Sequence, residues 1–246
     1  MRIFCQICIP MGSAAVGCIA VNSEFLEMIS CCIFDLDGVL VDTARYHFEA
    51  WRELAHGLGF EFTPEDGELT KGVSRMASLD IVLRCGGMAD RFSEEEKLRM
   101  ASAKNARYLE LVGRMTRSEV LAGAEALLED LRGQGIKVVL GSASKNTRVI
   151  LGLCGLTDKF DQVVDGTMIS RAKPDPEVFS RGAELAGIDP AECIVFEDAA
   201  AGVEAARRAG MRSVGVGRNE ALSGATIRVD SLAGLTYSKL LKLFEE

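Results

Sequence analysis

Ile29-Ser30-Cys31-Cys32-Ile33-Phe34-Asp35-Leu36-Asp37-Gly38-Val39-Leu40 joins a short apolar run to two carboxylates and a glycine. The apolar run up to Phe34 has the form of a strand buried in a parallel sheet. Asp35 and Asp37 follow at i, i+2, so their side chains project to the same side at the strand's carboxyl end. In open α/β folds that end borders the crevice where ligands bind. Gly38 permits a sharp turn after the pair. A carboxylate is already ionised at pH 7 and can attack phosphorus without a base. A second one can manage the proton on the leaving or attacking oxygen. An Asp-Gly turn after a strand looks the same and carries no chemistry, so the hexapeptide Asp35–Leu40 alone leaves both readings open.

Outward from this stretch the pattern is regular. Strand candidates recur at 136–141, 162–164, 193–196, 213–216 and 226–229. Helix-period segments at 124–132, 146–154, 176–186 and 200–209 lie between most of them, and Gly133, Gly187 and Gly210 stand where helices stop. The alternation predicts an α/β fold, a Rossmann-like parallel sheet with helices on both faces. The interval 43–115 differs, being helix-periodic without a convincing strand. Phe48, Trp51, Ala55 and Leu58 fall at helical spacing after Asp42-Thr43, which can cap, and Gly59 ends the run. Ser93-Glu94-Glu95-Glu96 is a capping box that opens a helix through Tyr108 and Leu111. An all-helical cap domain at 43–115 is therefore expected, inserted after the first strand of a core formed by 28–42 and 116–246.

Composition bounds the function. The chain has 246 residues with 28 basic and 36 acidic side chains, a net charge of −8, and 48% hydrophobic residues, values of a globular protein. The acidic balance argues against coating nucleic acid or an anionic membrane, yet leaves room for a local basic pocket. Aromatic content of 6% disfavours a stacking platform for single strands. Between Ile3 and Ser23 there is no charge. Pro10, Gly12, Gly17, Gln6 and Ser13 interrupt a membrane span, and Ala14-Ala15-Val16-Gly17-Cys18 resembles a weak lipoprotein cleavage site. The reading adopted is a start at Met28, with 1–27 a disordered tail or an over-extended start. Cys5-Gln6-Ile7-Cys8 lacks a second pair at zinc spacing. Cys31, Cys32, Cys85, Cys154 and Cys193 read as buried free thiols of a reducing compartment, which implies the cytoplasm. A monomer is expected, because no heptad or long amphipathic stripe demands a dimer.

Three further segments carry polar groups in order. Leu140-Gly141-Ser142-Ala143-Ser144-Lys145-Asn146 ends a strand in hydroxyl residues that open a helix, an anion site or an ordinary N-cap. Ala172-Lys173-Pro174-Asp175-Pro176 sets a lysine before a helix start, where a solvated surface lysine fits equally. Val195-Phe196-Glu197-Asp198 ends a strand with carboxylates suited to Mg²⁺, or with charge that favours a helix N-terminus.

The ordered set Asp-x-Asp, Ser, Lys, Glu-Asp resembles the four-motif signature of haloacid dehalogenase superfamily phosphotransferases, over residues 29 to about 220. Within that superfamily the chain is similar to the β-phosphoglucomutase family. The similarity rests on Phe34–Val39 continuing into Asp42-Thr43, Tyr46-His47-Phe48 and Trp51, on Lys71-Gly72-Val73-Ser74-Arg75 with Ser78 and Leu79, and on Lys104-Asn105 with Tyr108. The extended second motif, Ser142–Asn146, adds to it.

The resemblance implies Asp35 as the phosphorylated nucleophile and Asp37 as general acid and base. One Mg²⁺ would be held by Asp35, the Asp37 carbonyl, Glu197 and Asp198. Ser142, Ala143 and Lys173 would bind the transferring phosphoryl group, and Arg75 with Ser144, Lys145 and Asn146 the phosphate at the sugar's other end. Gly72, Val73, Ser74, Ser78 and Trp51 would shape the sugar pocket, although Trp51 is at least as natural in a core. Thr43, His47 and Lys104 would couple cap closure to Asp37. Lys71 reads as a solvated loop charge, and His56 has no partner pattern. Ala199 stands where related sequences often carry a small polar residue, a minor departure since the carboxylates precede it.

The implied activity is an isomerase of carbohydrate metabolism. It would interconvert β-D-glucose 1-phosphate and D-glucose 6-phosphate through an aspartyl phosphate and a glucose 1,6-bisphosphate that also primes the enzyme. A Mg²⁺-dependent sugar-phosphate phosphatase is the alternative.

Overall fold

The computed structural model describes residues 29–245. The expected extension at 1–27, with its Cys5–Cys8 pair, lies outside the described residues. Six parallel strands form one sheet: β1 (Cys31–Phe34), β2 (Lys137–Gly141), β3 (Gln162–Val164), β4 (Cys193–Glu197), β5 (Arg212–Val216) and β6 (Ile227–Val229). Their order is β3-β2-β1-β4-β5-β6. Phe34 is level with Leu140 of β2 and with Phe196 of β4. Asp35, Gly141 and Glu197 therefore emerge side by side at the carboxyl edge. The connections turn to opposite sides between β1 and β4, the position where open α/β sheets leave a crevice.

Between β1 and β2 the chain is helical: α1 (Ala44–Gly57), α2 (Pro64–Glu68), α3 (Arg75–Cys85) and α4 (Glu94–Val112). The capping box is formed, with Ser93 Oγ accepting the Glu96 N–H and the Glu96 carboxylate accepting the Ser93 N–H. A second box, unanticipated, joins Thr63 and Asp66 across the first turn of α2, with Pro64 between them. Trp51, Ala55, Phe62, Leu79, Val82, Leu83 and Ala101 close a hydrophobic cluster of the insertion's own. Ala50, Tyr108 and Val112 join the main cluster instead, which roots α1 and α4 in the sheet domain.

Alternation along the strands assigns the two faces. Cys32, Phe34, Val138, Leu140, Ile194 and Phe196 pack with Leu127 and Leu131 of α5 (Ala124–Gly133) and Ile150 and Cys154 of α6 (Thr147–Cys154). Cys31, Ile33, Val139, Cys193 and Val195 pack on the other face with Val178, Phe179 and Ala183 of α7 (Glu177–Ala186) and Ala205 and Ala206 of α8 (Ala200–Arg208). The terminal α9 (Tyr237–Glu245) adds Leu240 to the first face. Each large aliphatic side chain so buried contributes about 1.5–3 kcal/mol. Both faces are covered, as the apolar strands require.

Two expectations need correction. Thr43 stands at the N-cap of α1 but does not cap it, because its backbone is already helical (φ −101°, ψ −11°) rather than extended, and its hydroxyl donates to Asp37. Cys31, Cys32, Cys154 and Cys193 are buried free thiols, whereas Cys85 is exposed, since it ends α3 just before the surface turn at Gly86-Gly87. Among the described residues no helix is long and apolar enough to cross a membrane.

Candidate active site

The β1 end is built by backbone geometry. The Asp37 N–H donates to Asp35 Oδ2 at 3.0 Å, which turns the Asp35 carboxylate toward the sheet edge. Gly38 has φ +77°, and a Cβ there would also overlap the Asp198 carboxylate, so glycine is required on both counts. Lys173 reaches the same point from the loop before α7. Its Nζ lies 2.5 Å from Asp35 Oδ1 and 3.2 Å from Glu197 Oε2, with the side chain buried. Ser142, at the β2 end, is 1% exposed, and its Oγ accepts the Ser144 N–H at 3.1 Å.

Carboxylate oxygens of Asp35, Glu197 and Asp198 all lie within 4.8 Å of one another. Glu197 Oε1 is buried without a hydrogen-bond partner. Gly202 leaves the room that Glu197 occupies, since a Cβ there would overlap its carboxylate. A cluster of hard oxygen donors with one orphaned, buried oxygen fits a divalent cation such as Mg²⁺.

The electrostatics follow from crowding. Burial first, then the Asp35 charge, pushes Asp37 up to about 6 and Asp198 up to about 7. Burial likewise raises Glu197 well above the usual carboxylate range. Burial opposes the charge of Lys173, but Asp35 and Glu197 outweigh it and hold the ammonium above its ordinary value.

The insertion supplies the opposite wall. Thr43 Oγ1 donates to Asp37 Oδ1. One turn into α1, His47 Nδ1 lies 2.9 Å from Lys104 Nζ of α4. Lys104 sits 4.3 Å from the Trp51 ring centre and 5.0 Å from that of Tyr108, which stacks on His47 at 4.0 Å. Burial, then the nearby Arg75, brings Lys104 down to about 7. Burial, then Lys104 and Arg75, holds His47 well below its ordinary value, so its neutral Nδ1 can accept from Lys104. Arg75 opens α3 after the Ser74 cap, is lowered by burial, and has no ion pair among the described residues. Ser78 Oγ bonds the carbonyls of Ser74 (3.1 Å) and Thr70 (3.3 Å), bracing the loop before α3. Gly72 has φ +70°, and a Cβ there would stand 2.9 Å from Ala199 Cβ, so the loop approaches the β4 end closely.

These groups surround a cavity of about 660 Å³. Of the residues expected from sequence, Asp35, Asp37, His47, Trp51, Gly72, Val73, Ser74, Arg75, Ser78, Lys104, Ser142–Asn146, Lys173 and Asp198 line it. Thr43 and Glu197 stand behind that lining, each bonded to a residue that is part of it. Lys71 corrects the sequence reading: rather than being solvated, it pairs with Glu68 at 2.9 Å and stands 3.8 Å from Asp198 Oδ2. Its place beside Gly72 was the available signal. Trp51 is 1% exposed, so it serves both the insertion's core and the cavity wall.

Known proteins resemble this chain in sequence and fold. The family model for haloacid dehalogenase-like hydrolases matches residues 29–210. A β-phosphoglucomutase of Bacillus subtilis is 38% identical over 214 residues, covering 87% of this chain and 95% of its own. A phosphorylated carbohydrates phosphatase of Thermotoga maritima is 31% identical over 184 residues, covering 74% of this chain and 82% of its own. The crystal structure of a β-phosphoglucomutase from Clostridium difficile superposes with a TM-score of 0.84 at 44% identity, covering 88% of this chain and 97% of that one. Since the matched span includes all four carboxylate, hydroxyl and lysine motifs at the sheet edge, the chain belongs to the haloacid dehalogenase-like hydrolase family and is an enzyme of that superfamily.

Proposed function

We propose that the protein is a β-phosphoglucomutase, interconverting β-D-glucose 1-phosphate and D-glucose 6-phosphate. The observation that carries this reading is one cavity lined by cationic side chains from both the sheet edge and the insertion. At one end Asp35 is ion-paired to Lys173. At the other, the unpaired Arg75 and the Ser144–Asn146 loop share the same space. A sugar bisphosphate needs an anchor at each end so that either phosphate can face Asp35. A guanidinium suits that task through bidentate bonds. The mutases among the relatives support the reading. The helices of 43–115 act as the cap domain.

In the first half-reaction an Asp35 carboxylate oxygen attacks phosphorus. The bond from phosphorus to the sugar oxygen breaks with its electron pair on that oxygen, which takes a proton from Asp37. Asp37, raised to about 6, carries that proton in part of the population near neutrality. In the other half the primed enzyme, carrying phosphoryl on Asp35, meets glucose 1-phosphate, whose 6-hydroxyl gives its proton to Asp37 and attacks phosphorus as the bond to Asp35 breaks, forming glucose 1,6-bisphosphate. The bisphosphate turns end for end and returns its 1-phosphoryl group to Asp35 by the first half-reaction, leaving glucose 6-phosphate, so it is both the intermediate and the primer of free enzyme. Ser142 and Lys173 hold the phosphoryl oxygens, and Lys173 offsets charge that would repel them. Asp35, Glu197, Asp198 and the Asp37 carbonyl would hold Mg²⁺, which when bound supplies charge neutralisation at the phosphoryl group. Thr43, His47 and Lys104 position Asp37 only when the cap is closed, which favours a sugar hydroxyl over water. We also assign the protein to the cytoplasm, a reading supported by its buried free thiols, and take it to act as a monomer.

The test incubates purified protein with β-glucose 1-phosphate, Mg²⁺ and catalytic glucose 1,6-bisphosphate. Glucose 6-phosphate is expected to exceed free phosphate. Fast phosphate release with little isomer would favour the phosphatase reading, which one relative's name supports.

A further inference from the structure

Asn105 follows Lys104 on α4 and has no role in the scheme above. Its Oδ1 accepts a hydrogen bond from Asn146 Nδ2 at 3.0 Å, joining the insertion to the loop after β2. Both residues line the cavity. Asn146 is the N-cap residue of α6, where asparagine ordinarily turns its side-chain oxygen back onto the helix N–H groups. Here it makes no such bond. Neighbouring hydroxyls serve the loop instead: Ser142 Oγ accepts the Ser144 N–H at 3.1 Å, and Ser144 Oγ accepts the Asn146 N–H at 3.2 Å. Thr147 Oγ1 donates to the Ser144 carbonyl at 2.8 Å. The Asn146 carboxamide takes no part in helix capping and spans to α4.

The pair is uncharged, which matters at an anion site. It neither repels an arriving phosphate nor competes with it for Lys145 or Arg75. Each carboxamide also keeps hydrogen-bonding capacity beyond the shared bond. Residues 104 and 105 are about 100° apart around the helix, so one turn of α4 touches two places. Lys104 meets His47 and Trp51 near Asp37, while Asn105 meets the loop of Ser144–Asn146.

We propose that Asn105 is a positioning residue. Through Asn146 it registers α4 against the distal-phosphate loop, so that filling this loop sets Lys104 and Asp37 for reaction. The inference rests on the two-ended reading proposed above and adds to it the element that transmits occupancy from one end to the other.

The experiment is a double-mutant cycle of Asn105→Ala and Asn146→Ala, read on the hexose phosphate that the wild type turns over fastest, with isomer and free phosphate summed. Hydrolysis of p-nitrophenyl phosphate, which has nothing to reach the distal loop, is measured beside it. Asn105→Ala is expected to lower kcat for the sugar about tenfold and hydrolysis of the aryl ester less than about twofold. In the Asn146→Ala background the same substitution should cost less than about twofold. Equal losses on both substrates would mean a merely structural asparagine. A full loss in both backgrounds, or no loss in the wild type, would also overturn the proposal. The division of wild-type product between isomer and phosphate tests the two-ended reading separately, because the coupling of the asparagines is read from summed turnover.

Discussion

The sheet-edge end of the cavity and the insertion end are opposite in charge and alike in predicament. Asp35, Asp37, Glu197 and Asp198 crowd the sheet edge, where Lys173 pairs with Asp35 and Glu197 and Lys71 stands 3.8 Å from Asp198, and burial pushes Asp198 up to about 7. Across the cavity Lys104 is brought down to about 7 by burial and Arg75, with no carboxylate ion-paired to either cation among the described residues. One end is short of positive charge and the other of negative charge. The contrast accords with the function proposed above, in which the sheet edge takes a metal ion and the insertion a second phosphate. On that reading a chain of net charge −8 carries its anion site where local cations lack carboxylate partners.

The comparison can be broken at several points. Asp35→Asn should lower turnover about 10⁴-fold or more on every substrate, because it removes the proposed nucleophile. Steady-state kinetics checks this, and activity within tenfold of wild type would refute the assignment. Asp37→Asn should cost about 10²–10⁴-fold on a sugar phosphate. It should cost much less on p-nitrophenyl phosphate, whose leaving group departs without a proton. Equal losses would remove Asp37 from the proton path.

At the insertion end, Arg75→Ala should lower turnover of a hexose phosphate about 10–100-fold, the worth of one or two charge-assisted hydrogen bonds. The aryl ester should be nearly spared. A metal at the sheet edge should stabilise the fold by mass action, about 2.7 kcal/mol at a hundred times its Kd. Thermal unfolding with and without Mg²⁺ reads this, and Asp198→Asn should abolish the shift. A shift that survives the substitution would place the cation elsewhere.

The smallest expected effect is a pH slope. Lys104 is depressed to about 7 in the folded state, while an unfolded lysine holds its proton to about 10.4. Between those values the unfolded chain binds more protons, so stability gains from Lys104 as pH rises through that window. Lys104→Met should remove this contribution, seen as a flatter rise in Tm against pH. An unchanged slope would mean that the ammonium stays charged.

The strand pattern was legible because parallel strands are buried on both faces and read as short apolar runs. Asp35, Asp37, Glu197 and Asp198 were legible because chemistry at a strand end leaves polar residues where the apolar run stops. What stayed hidden depended on contacts between distant segments. Lys71 looked solvated because Asp198 is brought near it only by the close approach of the loop at Gly72 to the β4 end. Thr43 looked like a helix cap because residue type and spacing do not reveal that its backbone is helical and its hydroxyl is aimed at Asp37. Cys85 looked buried because an apolar run does not say which turn of a helix faces out. Asn105 and Asn146 lie 41 residues apart, and no local pattern pairs them.

The most direct measurement of the two-ended cavity is turnover of β-glucose 1-phosphate in ¹⁸O-labelled water, with the phosphorus of every product examined by mass spectrometry. Transfer from Asp35 to a sugar hydroxyl would leave glucose 6-phosphate free of solvent oxygen and release little inorganic phosphate. Solvent-labelled inorganic phosphate as the main product would show that water, and not the sugar held by the second end, takes the phosphoryl group.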